Sequence, residues 1–156
     1  MNANELMTRN VATCWKDASL EQAARIMWEA DVGCLVVTDA ERHAVGMLTD
    51  RDIAMAAYTQ GVRLGEASVA GAMANRVCSC SPETSAADVE ALMQSAQIRR
   101  VPVVDSDGKL LGIVSLADLA RSAHSSPLRM PAIPGVAKTL AVITERRQPV
   151  PASAPE

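Results

Sequence analysis

Apolar residues at Leu20, Ala23, Ala24, Met27 and Ala30 recur every three or four positions behind Ser19, a side chain suited to capping a helix. The spacing predicts a helix of about 11 residues. Gly33 to Thr38 is then an apolar run of strand length, Asp39 to His43 carries turn chemistry, and Ala44 to Leu48 reads as a second strand. Thr49 or Asp50 can cap a further helix, with Ile53, Ala54, Ala57 and Tyr58 on one face and Gly61 at its end. With a short strand ahead of the first helix, the unit is β-α-β-β-α.

The same unit returns 66 positions later. Met7 to Ala54 aligns without a gap on Met73 to Ala120. Ser85 takes the place of Ser19, and Val89, Leu92, Met93 and Ala96 form the helical stripe. Val101 to Val104 and Leu110 to Val114 are the hairpin strands around Asp105-Ser106-Asp107-Gly108, and Leu116 to Arg121 starts the last helix. Residues 3–60 and 71–123 are therefore the two repeats, with 61–70 as linker. A unit this short buries too little surface alone, so the expected fold is α+β, two repeats packed through a pseudo-twofold axis with clefts between them.

The remaining stretch, 124–156, differs in character. Six of the eight prolines lie between Pro127 and Pro155, around one segment, 135–147, that can form a short helix with Val136, Leu140 and Ile143 on one side.

A net charge of −3 and a pI near 5.4 argue against a nucleic-acid surface, which needs concentrated Lys and Arg. No basic segment followed by an apolar stretch opens the chain, and no run of roughly 20 apolar residues follows, so no membrane partner and a cytoplasmic location are expected. In a reducing compartment Cys14, Cys34, Cys78 and Cys80 would persist as thiols packed like small apolar groups.

The chemistry sits where each repeat closes. Gly46-Met47-Leu48-Thr49-Asp50-Arg51-Asp52 recurs as Gly112-Ile113-Val114-Ser115-Leu116-Ala117-Asp118, placing a hydroxyl and a carboxylate three residues apart in both copies. A carboxylate can accept both hydroxyls of a ribose diol, and exposed amides at a helix N-terminus favour a phosphate. The same pair is also a capping box, which needs no ligand. Where the first copy has Gly33-Cys34, the second has Arg99-Arg100, whose guanidinium groups suit a phosphate. Alternation along a strand sends these two to opposite sides. Arg51 has no basic counterpart in the second copy, which has Ala117 there.

The twofold occurrence of these closings, the Leu6-Met7-Thr8 opening, Asp39 and Asp105 after apolar strands, and Arg99-Arg100-Val101-Pro102-Val103-Val104-Asp105 together resemble a pair of cystathionine-β-synthase (CBS) domains over roughly residues 3–123. The resemblance implies a small stand-alone Bateman module of the bacterial type. Such a module is a non-catalytic homodimer that binds adenosine-containing ligands (AMP, ADP, ATP, NAD or S-adenosylmethionine) and signals to an unknown downstream protein, with no catalytic cofactor. Carried over residue by residue, Asp52 and Asp118 match the ribose-binding aspartates. Thr49, Ser115, Arg99, Arg100 and Arg51 fall on the phosphate side. Val11, Ala12 and Thr13, with Val77, Cys78 and Ser79, match the backbone segments beside the base, and Leu35, Val36, Val101 and Pro102 are candidate walls.

Two rival readings remain. One is a ligand-free dimerisation scaffold with Trp15 and Trp28 on its partner surface. The other is a metal or redox role for Cys14, Cys78 and Cys80, although Cys-x-Cys is not the usual zinc spacing and only His43 and His124 are present as imidazoles. No Gly-rich phosphate loop or nucleophile–histidine motif supports an enzyme.

Overall fold

The computed structural model describes residues 1–124 and 132–145. A short helix α1 (Ala3–Leu6) leads into β1 (Thr13–Trp15), α2 (Leu20–Glu29), β2 (Cys34–Thr38), β3 (Ala44–Thr49) and α3 (Asp50–Gln60). A 3-10 turn at Val69–Gly71 opens the second repeat, followed by α4 (Ala86–Ala96), β4 (Arg100–Val104), β5 (Leu110–Ser115), α5 (Leu116–His124) and α6 (Ala132–Thr144). This is the expected α+β pair of repeats.

Local chemistry explains the boundaries. Ser19 accepts from the Gln22 amide and receives the Gln22 side chain on its own amide, a reciprocal cap for α2. Gly61 ends α3 at φ 64°, a left-handed conformation that glycine adopts without steric cost. The α3 face differs from the sequence expectation: Ile53 and Ala56 are buried, whereas Ala54, Ala57 and Tyr58 are exposed. The helix lies on its sheet along a narrower stripe.

The sheets are unequal. β1, β2 and β3 form one sheet in that order, β1 parallel and β3 antiparallel to β2. The second copy keeps only the β4–β5 hairpin, and its expected first strand shrinks to a bridge between Cys80 and Val103. Proline explains the loss. In repeat 1 the Val36 amide donates to the Ala12 carbonyl at 3.3 Å; the matching residue of repeat 2 is Pro102, which has no N–H to give.

Two cores result. Leu20, Ala23, Met27, Leu35, Val37, Leu48 and Ile53 pack in the first, Val89, Met93, Val101, Val103, Val114 and Leu119 in the second. The leading segments are exchanged between them. Ala3 and Met7 pack in the second core, and Thr8 pairs with Ile113 of β5; Val69 packs in the first, and Ala74 pairs with Met47 of β3. The expected linker is thus partly structural, since Leu64 and Ala67 also join the first core. The hairpin turns meet across the pseudo-twofold, where His43 pairs with Lys109 and the Leu110 amide donates to the Arg42 carbonyl at 2.9 Å.

The expected tail helix is α6, which starts at Ala132 and tolerates Pro134 because first-turn amides have no intrahelical acceptor. It packs on α4 and α5 with Thr139 and Ile143 buried, while Leu140, expected inward, is 47% exposed. Residues 146 and 147 of the expected helix lie outside the described residues.

The exchange requires two close approaches. A methyl group at Gly112 would lie 2.5 Å from Met7 Sδ and 3.0 Å from Met7 Cβ; one at Gly46 would lie 2.6 Å from Met73 Sδ. A methionine sulfur is nearest at both; behind it, Gly46 has the Ala74 carbonyl oxygen at 3.2 Å, whereas at Gly112 the root of Met7 is closer, at 2.8–3.0 Å. Gly112→Ala should therefore destabilise by about 1–3 kcal/mol and Gly46→Ala by less, read by urea unfolding. Equal, negligible losses would contradict this packing.

Candidate functional site

Each β-hairpin delivers a hydroxyl residue to the start of a helix. Thr49 caps α3: its Oγ1 accepts from the Asp52 amide at 3.2 Å and donates to Asp52 Oδ2 at 2.7 Å, and its amide donates to the same Oδ2 at 2.8 Å. Ser115 and Asp118 repeat this at 3.2, 2.5 and 2.7 Å. Both pairs are complete capping boxes.

This geometry defines what each hydroxyl does in the cap. Each donates its proton to its aspartate, so a phosphate oxygen would compete with that bond for the Thr49 or Ser115 hydroxyl. The aspartates differ in what remains. Asp52 Oδ1 accepts no hydrogen bond among the described residues, whereas Asp118 Oδ1 is ion-paired with Arg121.

Arg100 begins β4 half-buried, and Arg99 precedes the strand and is exposed. The charge of Arg100 is close enough to influence the Cys34 thiol of the first repeat, as are the carboxylates of Asp50 and Asp52. Burial raises the Cys34 thiol, Arg100 opposes that rise, and the two carboxylates add to it. Cys34, Asp50, Asp52 and Arg100 therefore share one inter-repeat neighbourhood. No hydrogen-bond or ion-pair partner for the Arg100 guanidinium is present among the described residues. Arg51 is exposed on the first turn of α3.

The strand walls divide by face. Leu35 and Val101 point into the cores of their own repeats, which removes them as walls; alternation places Val36 beside Cys34, and Pro102 beside Arg100, on the opposite faces. Val36 and Pro102 are both buried, so a ligand would meet the rim of these faces, near Cys34 and Arg100. The two backbone segments also differ. The Ala12 carbonyl is engaged by Val36, Val11 bonds to Arg9, and Thr13, in β1, pairs with Val36 of β2. Val77, Cys78 and Ser79, released from the ladder by Pro102, make no backbone–backbone hydrogen bonds among the described residues. The parallel bridge of Cys80 with Val103 carries this segment alongside Arg100 and Pro102.

Sequence reasoning missed two features: the Asp118–Arg121 pair, whose signal was the three-residue spacing on a helix, and the freeing of residues 77–79, whose signal was Pro102. The cysteines do not converge. Cys14 is in the first core, Cys80 packs against the second, and the one potential ion-holding cluster among the described residues is Asp39, Glu41 and His43. Trp15 and Trp28 are 59% and 87% exposed. Among the described residues no helix is long and apolar enough to cross a membrane.

Burial pushes the Cys14 thiol up to about 11 from an ordinary 9.0. Losing that proton is harder in the fold than in the unfolded chain. Its contribution to stability is thus full below pH 9 and disappears as pH rises towards 11. Urea midpoints measured across this range should fall less steeply in Cys14→Ala than in the native chain; parallel curves would contradict a buried, protonated Cys14.

The family profile of the CBS domain matches residues 3–58 and 68–125. The CBS domain-containing protein YhcV of Bacillus subtilis is 40% identical over 119 residues, covering 76% of this chain and 83% of YhcV. A solved structure of Hypoxic Response Protein I, with two coordinated zinc ions, is similar at TM-score 0.71 and 30% identity, over 78% of this chain and 98% of that one. The CBS pair of MJ0100, solved with 5′-methylthioadenosine and S-adenosyl-L-methionine, is similar at TM-score 0.72 and 23% identity, over 80% and 96%.

Proposed function

Because the chain belongs to the CBS-domain family as a tandem pair, we propose that it is a cytoplasmic, homodimeric regulatory module that binds an adenosine-containing nucleotide at the rim between its repeats. It is a non-catalytic module, like the stand-alone CBS-domain proteins it resembles. The observation that carries the ligand reading is a half-buried, unpartnered Arg100 sharing a neighbourhood with an aspartate that has one oxygen to spare. An unpaired guanidinium removed from water is costly unless an anion completes it, and a phosphate does so through a planar fork.

The roles follow from donors and acceptors. Asp52 Oδ1 accepts from the ribose diol while Oδ2 stays locked in the cap, so the carboxylate is held in place before the ligand arrives. Two acids, Asp50 and Asp52, stand in the first turn of α3 and oppose a phosphate there, which directs the phosphate to Arg100. The free backbone groups of Val77, Cys78 and Ser79 suit the donor–acceptor edge of adenine, at the rim beside Cys34 and Arg100. MJ0100, of the same fold, holds two adenosyl compounds, which agrees with this ligand class. The site around Asp118 is less ready, because Arg121 must first release the second carboxylate oxygen. A ligand that binds the two arrangements of the repeats unequally shifts their balance, and that shift is the signal to the downstream partner.

Calorimetric titration of the nucleotide-stripped protein with AMP, ATP, NAD and S-adenosylmethionine tests this. At least one should bind saturably, and Asp52→Asn, which keeps a capping oxygen, should weaken it by roughly tenfold or more, about 1.4 kcal/mol. Arg100→Ala should weaken phosphorylated ligands more than adenosine. Absence of binding, or affinity unmoved by Asp52→Asn and Asp118→Asn alike, would sink the assignment.

A further inference from the structure

A cavity of about 610 Å³ opens between β1 and the flank of α2, and neither Asp52 nor Arg100 lines it. Its lining is mostly apolar: Cys14 is buried, Ala18 and Ile26 are half-buried, and Trp15 stands beside them with its indole 59% exposed. A cavity of this size with an aromatic wall suits a small molecule.

The polar groups around it are mainly donors. β1 is the edge strand of its sheet, and Val36 donates to Ala12, one residue before its register partner Thr13. A parallel ladder bonded in this way turns the backbone groups of Thr13 and Trp15 to the open edge. Neither amide donates to any group beyond that ladder among the described residues. Gln22 spends its side-chain oxygen on the Ser19 amide, which leaves its N–H groups. Arg25, exposed on α2, has no ion-pair or hydrogen-bond partner among the described residues. Thr13, Trp15, Gln22 and Arg25 all line the cavity, with the exposed Asp17 as its one carboxylate. Unpaired donors and a free guanidinium beside apolar surface call for an anion carried on an apolar body.

The second copy provides an internal comparison. Shifted by 66 positions, Trp15, Gln22 and Arg25 become Ser81, Asp88 and Ala91. The Ser81 amide donates to Thr84 Oγ1 at 3.1 Å, so the edge that is open in repeat 1 is capped there. Repeat 2 thus lacks the indole and the guanidinium, gains a carboxylate and still keeps its helix and hairpin. The fold does not require these side chains.

We propose that the β1–α2 cavity of repeat 1 binds a small aromatic carboxylate, with its ring stacked on Trp15 and its carboxylate on Arg25. The guanidinium receives the carboxylate through its planar fork, the open-edge amides offer further donors, and Ala18 and Ile26 cover the ring. Asp17 disfavours a second negative charge, which limits the ligand to a monoanion. The site is separate from the nucleotide rim, and each is tested without the other.

Calorimetric titration of the full chain with naphthoate should show saturable binding, with the Trp15 indole N–H resonance shifting in step. Arg25→Gln and Trp15→Leu should each raise the dissociation constant by roughly tenfold or more. Naphthylmethylammonium, the same ring with the opposite charge, should bind at least roughly tenfold more weakly than naphthoate. Trp28→Leu should leave the affinity unchanged. Trp15 and Arg25 are exposed, so an unchanged thermal transition in both variants verifies an intact fold. Absence of saturable binding, equal binding of the cation, or an affinity unmoved by Arg25→Gln would overturn the proposal. So would displacement of naphthoate by AMP, which would put the probe in the nucleotide site.

Discussion

Met7 lying over Gly112, and Met73 over Gly46, tie two weak units into one. Each repeat is short, and a hairpin with two helices buries too little apolar surface to hold itself together. By sending its leading segment to the other's sheet, each copy lengthens its neighbour's edge and fills its neighbour's core. Only a residue without a side chain lets a methionine lie flat against the strand. That exchange also fixes the start of α3, because Thr49 ends, and Asp52 closely follows, the strand that Ala74 pairs with.

Against this symmetric frame, single substitutions make the halves unequal. Cys34 against Arg100 gives one rim a cation without a partner. Val36 against Pro102 removes one ladder bond and releases the backbone of Val77 to Ser79. Met55 against Arg121 lets the second aspartate be neutralised from its own helix. Trp28 against Gln94 leaves one helical face apolar while the other is hydrogen-bonded to α6. A duplicated fold thereby carries two halves that differ in charge, backbone pairing and cover.

Much of this was legible in the chain. The 66-residue offset predicts the repeats, the capping serines and threonine, and both hairpins, because these follow from local periodicity and turn chemistry. Failures arose where a residue serves a distant partner. Periodicity put Ala54, Ala57 and Tyr58 inward, yet the sheet receives only Ile53 and Ala56. Alternation identified two faces of β2 and β4 but not which faces the cleft, so Leu35 and Val101 were grouped with Val36 and Pro102. The motif Thr-x-x-Asp reads as ligand chemistry and as a cap; the structure shows the cap consuming the hydroxyl proton and half the carboxylate, leaving one oxygen of Asp52.

The most direct test of the central claim, that exchange between repeats builds one prepared site at Asp52 and Arg100, is residue-resolved amide NMR during titration with AMP. Shifts concentrated at Gly33–Cys34, Thr49–Asp52, Val77–Ser79 and Arg99–Arg100, in both repeats at once, are the predicted result. Shifts confined to Ser115–Asp118, or spread over α2 and α3 away from the rim, would contradict it.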